Sequence, residues 1–363
     1  MENPFSIGKE FKKEAFIDRE NETREALEII NSSNNLVLYA PRRFGKTWFA
    51  KNVELSLRKR NVKSIWIDFF STVTVKQFIS RFNEEISSVF SMSITDYLKK
   101  FLSEHVGNFS LNLAGATLEL KTSSNEEVWE ILYKTLSNFD LNLDEKLVVF
   151  MDEAQEMLRL GSEFEKILRT AIQHQKNTSY VFLGSRKSLL EKLFFEREHP
   201  LFNSALKFDL SKNLPEKETV EFLKSVFEKG GKKISDTAIQ LIVKYSRLHP
   251  FYLQLIGFEV WNTGNSINEV NVMECVSHLV ERNGYFYRTL IENLNSKYTL
   301  TILKMISNGE FSYSAEELMK WEIKSPASIS KVIENLKERE IILEIDGKYS
   351  IADPFFEEFI QRV

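Results

Sequence analysis

The sequence predicts a parallel α/β domain, followed by an all-helical segment and a small module of helices and one hairpin. Three observations predict it. The runs Leu36-Val37-Leu38-Tyr39, Leu147 to Met151 and Tyr180-Val181-Phe182-Leu183 are apolar and too short for helices, and the last two end in carboxylates and in glycine, as buried parallel strands do. From Leu214 to about residue 290 the apolar spacing becomes helical, opening on Leu-Pro-Glu-Lys-Glu. Near the end, Asp346-Gly347 stands between alternating apolar residues, a strong hairpin signal.

The first run leads into Ala40-Pro41-Arg42-Arg43-Phe44-Gly45-Lys46-Thr47-Trp48. A strand, a turn of inward-pointing N–H groups and a helix start in that order make a phosphate-binding loop. Lys46 would reach the β- and γ-phosphates of ATP, and the Thr47 hydroxyl would coordinate Mg²⁺. The usual spacing G-x-x-x-x-G-K-[ST] has Ala40 in place of its first glycine, which costs little if φ there is negative; Gly45 is retained.

The second run ends in Asp152-Glu153. Two carboxylates after a buried strand suit a site at the strand's C-terminal end: Asp152 for the Mg²⁺ shell, Glu153 to orient or deprotonate the attacking water. An Asp-Glu pair there is otherwise a helix cap with favourable first-turn charge. The third run ends in Gly184-Ser185-Arg186 and would lie between the other two strands, so that Ser185 and Arg186 approach the γ-phosphate from its far side.

In these motifs and their order the chain resembles the archaeal-type ATPases, a branch of the AAA+ class grouped with the signal-transducing STAND NTPases. The resemblance covers Phe16-Ile17-Asp18-Arg19-Glu20, Pro41-Arg42-Arg43, Asp152-Glu153-Ala154-Gln155, Gly184-Ser185-Arg186 and Leu248-His249-Pro250-Phe251-Tyr252. It implies that the Phe16, Ile17 and Arg19 segment lies near adenine and that His249 and Pro250 pack over the nucleotide. The implied nucleotide set is completed by Pro41, Arg42, Arg43, Phe44, Gly45, Lys46, Thr47 and Trp48. Lys46, Glu153 and Arg186 are the expected catalytic residues. Relatives carry an arginine shortly after a Pro-Leu-Tyr-Gly element; here Pro200-Leu201-Phe202 is followed by Asn203-Ser204-Ala205, and Arg197 lies just before it. Slow or partner-activated hydrolysis is therefore an expectation too.

The remaining elements follow in order. Lys63 to Phe69 reads as a strand and Val75 to Leu102 as helical. Phe109 to Leu120 alternates about Gly115, an inserted hairpin that is either an embellishment or an edge for a partner. Helices at Leu300–Ile306, Ala315–Trp321 and Ser328–Lys337, then strands within Ile341 to Ile351, describe a winged helix-turn-helix. The expected domains are a phosphate-loop ATPase at 1–212, a helical lid at 213–290 and the winged helix at 291–363.

Composition narrows the function. With 363 residues, 43% hydrophobic and 28% charged, packed domains are expected. No apolar run approaches the roughly 18 residues a membrane helix needs, and the start Met-Glu-Asn-Pro-Phe lacks a signal peptide's pattern. One cysteine, Cys275, permits no internal disulfide, so a cytoplasmic location without a membrane partner is expected. The net charge of −4 predicts no general attraction to nucleic acid. Residues 296–363 carry nine Lys or Arg against twelve Asp or Glu, and the candidate recognition helix mixes Lys331, Lys337 and Arg339 with Glu334, Glu338 and Glu340. DNA binding by the winged helix stays open, but packing on another domain or a protein partner is favoured. The reading is an ATP-binding and ATP-hydrolysing switch, with oligomer formation left open. The alternatives are a DNA-binding regulator or mobile-element ATPase, and a nucleotide-binding scaffold with negligible turnover.

Overall fold

A computed structural model of the chain describes residues 2–8, 11, 13–17, 19–90, 109–112, 117–120, 124–140, 145–294, 296–314, 316, 318, 321, 326–345 and 347–363. Two units emerge: Asp18–Lys212, and Met1–Ile17 together with Asn213–Val363.

In the first unit the strands are β1 (Leu36–Tyr39), β2 (Lys63–Asp68), β3 (Phe109–Asn112), β4 (Thr117–Leu120), β5 (Leu147–Asp152), β6 (Thr178–Gly184) and β7 (Leu206–Asp209). Five of them form one parallel sheet in the order β2-β5-β6-β1-β7. The expected position of the Tyr180 strand, between the other two apolar runs, is therefore found. Burial explains the sequence pattern: every residue of β6 and all of β5 but Asp152 are buried, so both read as unbroken apolar runs. β3 and β4 pair antiparallel as the inserted hairpin, whose expected turn at Gly115 lies outside the described residues.

The helices of this unit are α1 (Glu20–Asn31), α2 (Lys46–Arg58), α3 (Val75–Val89), α4 (Asn125–Asn138), α5 (Ser162–His174) and α6 (Lys187–Phe195). α3 is opened by a capping box in which Thr74 and Gln77 satisfy each other's backbone N–H. The helical expectation from residue 91 to Leu102 lies outside the described residues. On one face of the sheet the core is aromatic: the Phe164 ring meets Phe78 edge-on at 4.9 Å and Phe69 at 6.0 Å, and Phe82 meets Phe139 at 5.1 Å.

The second unit contains α7 (Glu216–Lys229), α8 (Asp236–Ser246), α9 (Pro250–Trp261), α10 (Glu269–Glu292), α11 (Thr299–Ser307), α12 (Pro326–Glu338) and α13 (Pro354–Arg362). Its strands are β8 (Lys233–Ile234), paired with β9 (Ser266–Ile267), and β10 (Ile342–Ile345), paired antiparallel with β11 (Lys348–Ile351). Gly347 has φ +75°, as a two-residue turn needs, while Asp346 lies outside the described residues. So does most of the helix expected at Ala315–Trp321.

One hydrophobic core runs from Leu223 through Ile256, Val276 and Ile302 to Ile360, joining the expected lid and the winged helix. α10 crosses the expected boundary at 290, and its Tyr287 packs on Phe356 and Phe359 of α13. The N-terminal arm joins this unit as well: Phe5 sits against Phe227 and Trp261, and Gln254 accepts from the Ser6 N–H and donates to the Ala15 carbonyl.

Candidate nucleotide-binding site

The site is built where β1, β5 and β6 end side by side. After β1 the chain turns through Ala40, whose φ is negative and whose N–H donates to the Gly184 carbonyl (3.4 Å), so alanine serves in place of the first glycine. Arg43 (φ +67°) and Gly45 (φ +78°) are left-handed, and Gly45 is the N-cap of α2. Only glycine adopts that conformation without cost, which is why it survives beside the lysine. The cap has no side-chain partner, and Lys46 begins the helix.

Lys46 is 7% exposed, too buried for a solvated surface lysine. Its Nζ lies 3.1 Å from Asp152 Oδ1 and 3.1 Å from Glu153 Oε1. The Thr47 hydroxyl donates to Asp152 Oδ2 at 3.4 Å. Glu153 itself is left-handed, φ +50°, a conformation that costs a non-glycine residue about 1 kcal/mol or more. Its carboxylate also accepts from Gln155 Nε2 and, at 3.3 Å, from the Ser185 hydroxyl. Burial alone would raise the Glu153 pKa; the Lys46 charge and the hydrogen bonds from Gln155, Lys46 and Ser185 outweigh it and hold the carboxyl below its ordinary value.

The structure thus brings together Lys46, Thr47, Asp152, Glu153 and Ser185. Phe44 is buried, Pro41 and Trp48 are half-buried, and Arg42, Arg43 and Arg186 have exposed side chains. Arg19 is only 3% exposed, and its guanidinium is spent within the unit, donating to the carbonyls of Leu210 (3.4 Å) and Lys212 (3.0 Å). Phe16 is half-buried and Ile17 buried, both within the second unit. His249 and Pro250 also belong to that unit: Pro250 is the first residue of α9, and His249 Nδ1 accepts from the Phe251 N–H at 3.2 Å. The turn before them carries two successive left-handed residues, Arg247 (φ +51°) and Leu248 (φ +59°).

Sequence reasoning singled out Gln155 only as part of a motif, and missed that it grips Glu153. The signal was Gly184: a β-carbon there would come 2.4 Å from Gln155 Oε1, so the glycine leaves room for the glutamine.

Residues 285–362 match the family described as "Probable winged helix domain". No curated protein sequence matches the chain. Over nearly its whole length the chain is similar in structure to a Walker-type ATPase of Pyrococcus abyssi, with TM-score 0.66 and 23% identity, covering 98% of this chain and 99% of that one. It is also similar to the ORC2 protein of Aeropyrum pernix in its ADPNP–ADP complexes, with TM-score 0.55 and 14% identity, covering 94% and 93%. These likenesses establish the fold: a parallel-sheet P-loop ATPase architecture ending in a winged helix. No helix among the described residues is long and apolar enough to cross a membrane.

Proposed function

We propose that this chain is an ATP-dependent switch, which binds ATP with Mg²⁺, hydrolyses it, and positions its winged helix according to the nucleotide held. The observation that carries the reading is the Lys46 ammonium placed 3.1 Å from both Asp152 and Glu153, on a loop opened by a left-handed glycine. Lys46 would exchange these carboxylates for phosphate oxygens, alongside the N–H groups of the loop and the start of α2. Thr47 and Asp152 offer two hard oxygen donors suited to Mg²⁺, and no set of three or more His, Cys, Asp or Glu able to hold a metal occurs among the described residues. The ion would supply charge neutralisation at the β- and γ-phosphates. Glu153, ionised and oriented by Gln155 and Ser185, would accept the proton of the attacking water. Arg186 would stabilise charge on the γ-phosphate.

The switch draws support from the second unit. The turn at Arg247-Leu248-His249 is tied directly to the last helix of the winged module: the His249 ring lies 4.8 Å from Tyr252, Tyr252 meets Phe355 edge-on at 5.2 Å, and Arg247 pairs with Glu357. A DNA-bound ATPase is the second reading, favoured by the winged-helix match. Against it, the charge on α12 is mixed, and Lys337 is already paired with Glu344 at 2.5 Å.

Small-angle scattering of the apo, ADP and non-hydrolysable ATP states tests the switch, with proteolysis around residues 285–298 as a second readout. The ATP state should differ in shape from the ADP state, and Arg186→Ala should shrink that difference while leaving ADP affinity nearly unchanged. Superimposable profiles in all three states would leave an ATPase without a switch.

A further inference from the structure

The chain passes between the two units twice, after Ile17 and again after Lys212. On the side of the first unit, one buried side chain holds both passages. Arg19 stands just inside the first and is 3% exposed; its Nη1 donates to the Leu210 carbonyl (3.4 Å) and its Nη2 to the Lys212 carbonyl (3.0 Å), at the last residues before the second. Glu22 accompanies it at 3.7 Å. Burying a guanidinium is costly unless its donors are used, and these two are used on main chain about to leave the unit rather than on the sheet. Its planar fork suits that task, since two nitrogens in fixed geometry reach two carbonyls at once.

The second unit holds the same two passages from one short stretch of its own. Gln254, in α9, donates to the Ala15 carbonyl at 2.7 Å, and the carbonyl of Leu248, in the turn before α9, accepts from the Leu214 N–H at 2.9 Å. The arm before Ala15 is itself packed into that unit through Phe5 and Ser6. Each passage is therefore held at both of its ends, from Ala15 to Arg19 in one and from Lys212 to Leu214 in the other.

Two bodies joined by one strand of chain swivel about its backbone bonds. Joined by two strands that are held together, they keep one easy motion, rotation about the line through both. We propose that Arg19 is a clasp that makes the two passages act as one hinge with a single axis. This gives the arginine a task other than the adenine contact implied by the family resemblance. Freed of its hold, the segment Leu210 to Lys212 would move independently of the start of α1, where Arg19 is the N-cap, and the restraint on the two units would slacken. The clasp acts whether or not nucleotide is bound; its use in a switch rests on the proposed function.

The test uses the full chain without nucleotide, so that its failure is separate from a failure of the switch. Arg19→Met keeps the bulk and removes both donors, while Arg19→Lys keeps the charge but offers one nitrogen. Lys212 is exposed, so trypsin reports on the passage directly. Cleavage after Lys212 should be tenfold or more faster in Arg19→Met than in wild type, and faster by less in Arg19→Lys. Spin labels at Lys59→Cys and Glu281→Cys, one exposed position in each unit, in a Cys275→Ser background, should give a wider distance distribution in Arg19→Met. Hydrogen exchange in β5 and β6 guards against a folding artefact and should stay as slow as in wild type. Unchanged cleavage or an unchanged distribution overturns the proposal. So does faster exchange throughout β5 and β6 in both variants, which would give the arginine to the folding of the first unit.

Discussion

Lys46 Nζ and Glu153 Oε1 are 3.1 Å apart, so the residue expected to hold phosphate and the residue expected to activate water neutralise each other. In the proposed reading, phosphate would displace this pairing and release Glu153 to act on water.

Removing the lysine should therefore abolish the nucleotide response. A ligand at a hundred times its dissociation constant stabilises a protein by about 2.7 kcal/mol. Lys46→Ala should lose most of the ATP-induced rise in melting temperature, measured by thermal shift with Mg²⁺ present. An undiminished rise would remove the phosphate loop from the mechanism.

Glu153→Gln keeps the size and shape of the side chain while removing its ability to take a proton. Phosphate release should fall by about 10²–10⁴-fold, with ATP still bound. The two quantities are measured separately, by a phosphate assay and by retention of labelled nucleotide. Unchanged turnover would exclude Glu153 as the base, and a wild-type protein inactive with or without partners would favour the scaffold.

The lowered pKa of Glu153 also fixes a pH dependence. As pH falls, the unfolded chain takes up this proton first, near the ordinary value of 4.5, while the folded carboxyl remains ionised. The stabilisation is complete above that value and is lost as pH drops through the lower folded pKa. Melting temperature should fall more steeply below about pH 4.5 in wild type than in Glu153→Gln. A carboxyl ¹³C titration of Glu153 with a midpoint at or above 4.5 would contradict this.

Gly257 tests the N-terminal arm. A β-carbon there would lie 2.4 Å from Phe5 Cε1. Alanine is the better helix former by about 1 kcal/mol, yet overpacking costs about 1–3 kcal/mol. Gly257→Ala should lower stability and expose residues 1–17 to protease. A more stable variant with an intact arm would show that Phe5 yields without cost.

The parallel sheet was legible because β5 and β6 are buried on both faces and read as unbroken apolar runs. The meeting of Lys46, Asp152 and Glu153 was legible because one apolar strand leads into Gly45-Lys46 at a helix start and another ends in Asp152-Glu153. The merging of lid and winged helix was not. The helical spacing of α10 gives no sign that Tyr287, near its end, is covered by Phe356 and Phe359, about seventy residues further on. The packing of Arg19 was not legible either. Its side chain donates to the carbonyls of Leu210 and Lys212, about 190 residues further on, a contact that spacing cannot reveal.

α10 gives the second unit a mechanical property. At 24 residues it is a rod of about 36 Å, anchored at one end by the Asn268–Asn271 capping box and at the other by the α13 aromatics. A rod without an internal break transmits rotation as displacement: turned by about 10°, its far end travels about 6 Å. In the proposed switch such a rod would need no hinge between lid and winged helix, and a helix-breaking residue placed mid-rod should uncouple its two ends while sparing the packing at each.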